Sequence, residues 1–175
     1  MTPAIRPLTA DDLPAHCDAL ADLLLDAVDD GASVGFLAGT GRDEAAAWWR
    51  TLHPSVADGS RLLWAATGPD GRLLGTVSLV RETRPNGRHR AEVAKLLVHR
   101  DARGAGLGRR LLAAAEQAAR DTGATLLLLD TQTGSAAEHL YRTAGWTAFG
   151  TVPEHAATPD GVLADTTYYY KRLPA

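Results

Sequence analysis

Between an apolar, strand-like run from Val93 to Val98 and a strongly helical pattern stands the hexapeptide Arg103-Gly104-Ala105-Gly106-Leu107-Gly108. No other stretch restricts the fold as much. A strand must hand over to a helix here through a turn whose glycines, lacking Cβ atoms, tolerate left-handed backbone and let several N–H groups converge on one anion. The helix behind it adds unpaired first-turn amides and the positive end of its dipole, so a diphosphate can be held without a lysine.

Spacing separates the known phosphate-binding turns. A nucleoside triphosphate loop ends in Gly-Lys followed by a hydroxyl residue, whereas Gly108 is followed by Arg109 and Arg110, which argues against an ATPase or GTPase. A dinucleotide fingerprint wants its third glycine three places after the second; here it comes two places after, although Asp130 does end the next strand. The chain beyond Asp130 is also too short for the rest of a doubly wound sheet. The pattern Arg/Gln-x-x-Gly-x-Gly/Ala is met by Arg103, Gly106 and Gly108. A plain glycine-rich connector is the bland alternative, and the flanking strand and helix count against it.

A chain of 175 residues with 45% hydrophobic content can bury one core, so residues 1–175 are read as a single domain. The net charge of -3 supplies no general basic field, and nucleic acid is not an expected partner. Cys17 is the only cysteine, which excludes an internal disulfide and a cysteine-rich zinc site. His99 and His139 have no metal partner at useful spacing, and no metal site is expected. Met1-Thr2-Pro3 does not begin a signal peptide, and no apolar run approaches the roughly 20 residues that span a bilayer. The expectation is a cytoplasmic protein without a membrane partner.

Ala4 to Leu8 reads as a first strand, and Thr9, ahead of Asp11 and Asp12, as the cap of a helix running to about Val28. Gly31 to Gly41 is irregular and is a candidate substrate-side lid. A second helix contains Trp48, Trp49 and Leu52. Strands follow at Leu62 to Thr67 and Leu73 to Arg84, joined by Pro69-Asp70-Gly71, and a third after Pro85-Asn86-Gly87, at Glu92 to Val98. Leu107, Leu111, Leu112, Ala115 and Ala119 mark the helix behind the glycine turn, ending near Thr122-Gly123. Leu126 to Leu129, apolar throughout, must be a central strand. Ser135 to Ala144 predicts a helix. The last strands, around Trp146 to Val152 and Thr167 to Leu173, are separated by a long loop rich in Pro, Gly and Asp. The order is β-α-α-β-β-β-α-β-α-β-β.

With that order, the glycine pattern and the segment Leu140-Tyr141-Arg142-Thr143-Ala144-Gly145-Trp146, nearly the whole chain resembles the GNAT superfamily of acyl-CoA-dependent N-acyltransferases. Ala91-Glu92-Val93-Ala94-Lys95-Leu96, Leu128-Leu129-Asp130-Thr131 with Gly134-Ser135, and Ala157-Thr158-Pro159-Asp160-Gly161 resemble its tabtoxin-resistance subgroup. The resemblance implies an α/β fold with a mixed, mostly antiparallel sheet flanked by helices. It implies acetyl-CoA as cosubstrate and an amine as acceptor: an antibiotic or toxin amine in a resistance role, or a protein N-terminus. A CoA-binding module that sequesters its ligand without turnover is the alternative, and a homodimer through edge strands stays open.

Acetyl transfer needs a bound thioester, a route for the ammonium proton, an oxyanion donor and an acid for the thiolate. Glu92, mid-strand beside the turn, and Asp130, at the open end of a strand of leucines, are the carboxylates available to the amine; an ion pair of Glu92 with Lys95 or with an arginine on a neighbouring strand, and a helix-cap or turn role for Asp130 ahead of Gly134, are the structural alternatives. Tyr141 is the acid that the resemblance implies, since a phenol is protonated at neutral pH. The resemblance also implies a bulged strand whose backbone N–H near Leu97 or Val98 meets the acyl oxygen. It implies a cosubstrate cradle of Arg103, Gly104, Ala105, Gly106, Leu107, Gly108 and Arg109, with Ser135 and Tyr141 beside it. Gly134 stands where the superfamily commonly has asparagine. No covalent acyl carrier is expected, because no cysteine stands near the motif.

Overall fold

A computed structural model describes residues 2–174. Strand β1 (Ala4–Leu8) leads to helix α1 (Leu13–Asp29). Thr9 and Asp12 bond reciprocally before it: the Thr9 N–H donates to Asp12 Oδ2 at 3.0 Å, and the Asp12 N–H donates to Thr9 Oγ1 at 3.2 Å. The expected Thr9 cap thus exists as one half of a capping box. The single helix expected around Trp48, Trp49 and Leu52 is two, α2 (Arg42–Arg50) and α3 (His53–Ala57). Pro54 has no N–H with which to continue the first, so the chain bends at Leu52 and restarts.

Strands β2 (Arg61–Thr67), β3 (Leu73–Arg81) and β4 (Arg90–Val98) follow. β3 stops short of Arg84 because the Glu82 side chain takes over the local hydrogen bonding, accepting from the Arg84 N–H and from Arg90 Nη2, both at 2.9 Å. Then come α4 (Leu107–Asp121), β5 (Leu126–Gln132), α5 (Ala136–Thr143), β6 (Thr147–Ala157) and β7 (Leu163–Arg172). The long loop expected between the last two strands is instead the end of a hairpin. β6 and β7 extend toward each other until only a short turn remains, in which Thr158 N–H bonds the Val162 carbonyl at 2.8 Å.

The seven strands form one sheet in the order β1-β2-β3-β4-β5-β7-β6, with β4 and β5 the parallel pair. Period-two alternation gives it two apolar faces. Leu63, Ala65 and Leu97 pack with Leu20, Leu24 and Trp49 of α1 and α2. Val77, Leu79, Val93 and Leu127 pack with Leu111, Ala115 and Tyr141 of α4 and α5. On that second face Glu116, 7% exposed, receives Lys171 Nζ at 2.8 Å and Trp146 Nε1 at 2.9 Å, so its buried charge is compensated while β7 is tied to α4. Among the described residues no helix is long and apolar enough to cross a membrane.

Candidate active site

The sheet register collects the charged residues. Arg61 pairs with Val80, Val80 with Glu92, and Glu92 with Leu128, so the four stand in one row across β2, β3, β4 and β5. Paired residues share a face, and Leu63, two places from Arg61, packs on α1. Glu92 therefore opens on the α1 face. Asp130, two places beyond Leu128, opens there as well. β4 and β5 are paired only from Arg90 to Glu92 and from Leu126 to Leu128, so both carboxylates lie where the parallel pair comes apart.

Among the described residues neither the Glu92 nor the Asp130 side chain has a hydrogen bond or salt bridge, so the alternative reading of Glu92 as an ion-pair partner of Lys95 or of a neighbouring-strand arginine is not met. Glu92 is exposed. Packing by the surrounding protein, then the charge of Asp130, still raise its carboxyl above the ordinary range, against the pull of Arg61 and Lys95. A carboxylate so raised is suited to taking a proton.

β4 carries the bulge. Val93 packs on the α4 face and Leu97 on the α1 face, although residues an even number apart in an unbroken strand share a face. The register with β3 slips between Ser78–Ala94 and Thr76–Leu97. Lys95 sits inside the slip with φ +52°, left-handed backbone that a non-glycine residue rarely adopts. Its Nζ donates to the Val34 carbonyl at 2.9 Å and lies 5.2 Å from the centre of the Trp48 ring. From Val93 to Val98, next to Glu92, β4 has no ladder partner on β5.

At the glycine turn Gly104 and Gly106 both have φ +77°, and a Cβ on either would meet nothing within 4 Å. Left-handed backbone, not crowding, is what calls for glycine. Gly108 differs: a Cβ there would come 3.3 Å from Leu140, so its role is the close approach of α4 to α5. Gly106 caps α4 without any side-chain hydrogen bond, leaving the first-turn amides available to an anion. The open turn, the splayed strands and Tyr141 below together fit a CoA thioester. The arginines are less free than the sequence suggests. Arg103 donates from Nε to the Val98 carbonyl at 3.1 Å and from Nη1 to Asp30, and Arg109 turns to Thr143 Oγ1 at 2.8 Å. What the turn itself leaves available to an anion is its backbone N–H groups.

Tyr141, on α5, is 6% exposed, between Trp146 and Tyr169 with ring centres 6.1 and 6.4 Å away. Its hydroxyl has no hydrogen-bond partner among the described residues. Burial, then the charge of Asp130, push its pKa up, so the phenol is protonated throughout the neutral range, as a proton donor must be. Ser135 caps α5, accepting from the Glu138 N–H at 3.2 Å, while Glu138 accepts from the Gly134 N–H at 2.6 Å and from the Tyr169 hydroxyl at 2.7 Å. His99 is held by Arg72 and the Asp101 N–H, and His139 is exposed. No cluster of His, Cys, Asp and Glu among the described residues could hold a metal ion.

The model of the acetyltransferase (GNAT) family matches residues 4–146. The chain belongs to that family. GNAT enzymes are acetyl-CoA-dependent N-acetyltransferases, and this protein is one. A ribosomal-protein-alanine N-acetyltransferase from Brucella melitensis superimposes with a TM-score of 0.76 at 27% identity, over 97% of this chain and 99% of that one. The fold is shared with yncA from Salmonella typhimurium, solved with its cofactor acetyl-CoA, at TM-score 0.78, 21% identity and coverage of 100% and 96%. It is shared also with a phosphinothricin acetyltransferase from Sinorhizobium meliloti, in complex with acetyl-CoA, at TM-score 0.79, 18% identity and coverage of 99% and 89%.

The sequence names both carboxylates, the tyrosine and the glycine turn of this GNAT enzyme as site candidates and offers Lys95 only as an ion-pair partner of Glu92; it singles out neither Arg61 nor Ser78. The signal for Lys95 was present: after alternating Glu92-Val93-Ala94, the run Leu96-Leu97-Val98 breaks the period of two, as a strand does when it gains a residue.

Proposed function

We propose that this enzyme moves acetyl directly from acetyl-CoA to the amine of a small molecule, in a resistance role of the kind that its tabtoxin-resistance resemblance suggests. The amine nitrogen bonds to the acetyl carbon as the carbon–sulfur bond breaks. The ammonium proton passes to Glu92 or Asp130, and the departing thiolate takes the Tyr141 proton. One observation carries this reading: the Glu92 and Asp130 side chains, both without a protein partner, open on the same gap where β4 and β5 part, with Tyr141 packed on the opposite face of the sheet.

A small acceptor is favoured over a polypeptide by the strap 31–41, which crosses the α1 face beside this gap. Ser33 Oγ donates to the Ala157 carbonyl at 3.1 Å and the Ala38 N–H to the Pro159 carbonyl at 2.8 Å, pinning the strap to the β6–β7 tip. The chain acts as one catalytic domain in the cytoplasm, consistent with its free, buried Cys17. It pairs through the exposed β6 edge if it dimerises.

Thiol release with acetyl-CoA against tabtoxinine-β-lactam, aminoglycosides, polyamines and N-terminal peptides tests the acceptor class. Turnover confined to small amines is expected. Turnover on peptides alone would make it a protein acetyltransferase, and tight CoA binding without release on any amine would favour the sequestering module.

A further inference from the structure

We propose that Lys95 is a positioning residue: its anchored ammonium holds the β4 bulge in the conformation that offers backbone N–H groups to the acyl oxygen, and so couples that oxyanion site to closure of the strap 31–41.

A non-glycine residue persists in left-handed backbone only where its surroundings over-determine it. Two sets of contacts do so here, both on the α1 face. In the first, Lys95 Nζ is fixed by the Val34 carbonyl and the Trp48 face, and Phe36 of the strap meets Trp48 edge-on with ring centres 5.6 Å apart. In the second, Arg61 Nη1 donates to Ser78 Oγ at 3.1 Å, and that hydroxyl donates to the Ala94 carbonyl at 3.0 Å, the carbonyl immediately before Lys95. The Ser78 bond fixes the residue before Lys95 and the ammonium anchors Lys95 itself, while the β5-facing edge of β4 is left unpaired beyond Glu92.

The coupling follows from where the anchor ends. Val34 belongs to the strap, whose other fastenings, Ser33 to Ala157 and Ala38 to Pro159, lie on the β6–β7 hairpin. Opening the strap to admit an acceptor removes the carbonyl that holds Lys95, and reseating it restores the bulge. The oxyanion donors are thus complete only when the site is covered, which limits loss of the thioester to water. Burial, then the nearby Arg61 charge, lower the Lys95 pKa, and the Val34 carbonyl and Trp48 face offset that cost for the seated ammonium. The proposal rests on the acyl carbonyl being held at β4, not on which amine accepts the acetyl group.

Isotope-edited infrared spectra of bound [1-13C]acetyl-CoA read the donors without any acceptor, and amide hydrogen exchange of the free protein reads the strap. The wild-type carbonyl band should lie below its free-solution position. In Lys95→Ala, which keeps the demand for left-handed backbone but loses the anchor, the band should return toward the free position and residues 31–41 should exchange at least 10-fold faster. In Lys95→Gly, where left-handed backbone is unstrained, the band should stay low although the strap is loose. An unshifted wild-type band, a wild-type spectrum in Lys95→Ala, or a Lys95→Gly band no lower than that of Lys95→Ala would each overturn the proposal. If wild type binds no acetyl-CoA, the cosubstrate reading fails separately; unchanged exchange in Lys95→Ala would still overturn the anchor.

Discussion

Glu92 is a charge that folding partly removes from water and sets beside a second carboxylate, and both effects raise its pKa. The folded chain therefore holds more protons there than the unfolded one. In the window between the ordinary and the raised value, stability falls as pH rises. For catalysis the same shift places the acid limb of the kcat/KM profile above the usual glutamate range, and Asp130→Asn, which removes a repelling charge, should move that limb to lower pH. Glu92→Gln should lower turnover by roughly 100-fold, the scale of a lost general base, with acetyl-CoA affinity within about 2-fold of wild type by calorimetry. Tyr141→Phe should cost a similar factor in kcat while leaving the thermal midpoint almost unchanged, because the hydroxyl gives up no protein hydrogen bond. A large drop in that midpoint would give the hydroxyl a structural role instead. These side chains were legible because a charge within an apolar strand, or a tyrosine at fixed spacing from the turn, contrasts with its neighbours. Arg61 and Ser78 were not, since their role depends on a cross-strand register that only the folded sheet supplies.

At the scale of elements, the chain signals its punctuation well and its interruptions poorly. Ser135, at the start of the helix expected from the sequence, caps it by accepting from the Glu138 N–H, and Ser135→Ala should cost about 1 kcal/mol in denaturant unfolding. Because Glu138 also receives the Tyr169 hydroxyl, the loss should spread from α5 to β7 in hydrogen exchange. The break of the second helix at Leu52 was misread because Pro54 was not weighed as a stop, and the extension of the last two strands into a long hairpin for a different reason. Pro and Gly mark a change of direction, but whether a polar, alternating segment pairs is decided by the strand beside it. Thr151 and Val152 gain structure from Thr167 and Thr166, partners that local composition does not announce.

For the whole molecule, the fold serves the chemistry by a single departure: β4 and β5 start as parallel neighbours and then separate. The glycine turn and the start of α4 lie just beyond β4, the carboxylates open on one face of the gap, and Tyr141 approaches from the other. The order of elements made the sheet legible, but the separation was legible only through the family resemblance, because a splay leaves no mark in hydrophobic pattern. The most direct test is a calorimetric titration of acetyl-CoA into wild type, Gly106→Val and the double variant Glu92→Gln/Asp130→Asn. The account predicts one site in wild type. It predicts affinity weaker by about 10-fold or more in Gly106→Val, where valine must adopt φ +77° at a strain of ~1–2 kcal/mol, and near-wild-type affinity in the double variant. Wild-type affinity in Gly106→Val, or its loss in the double variant, would contradict the division of the site into a cosubstrate turn and an acceptor pair.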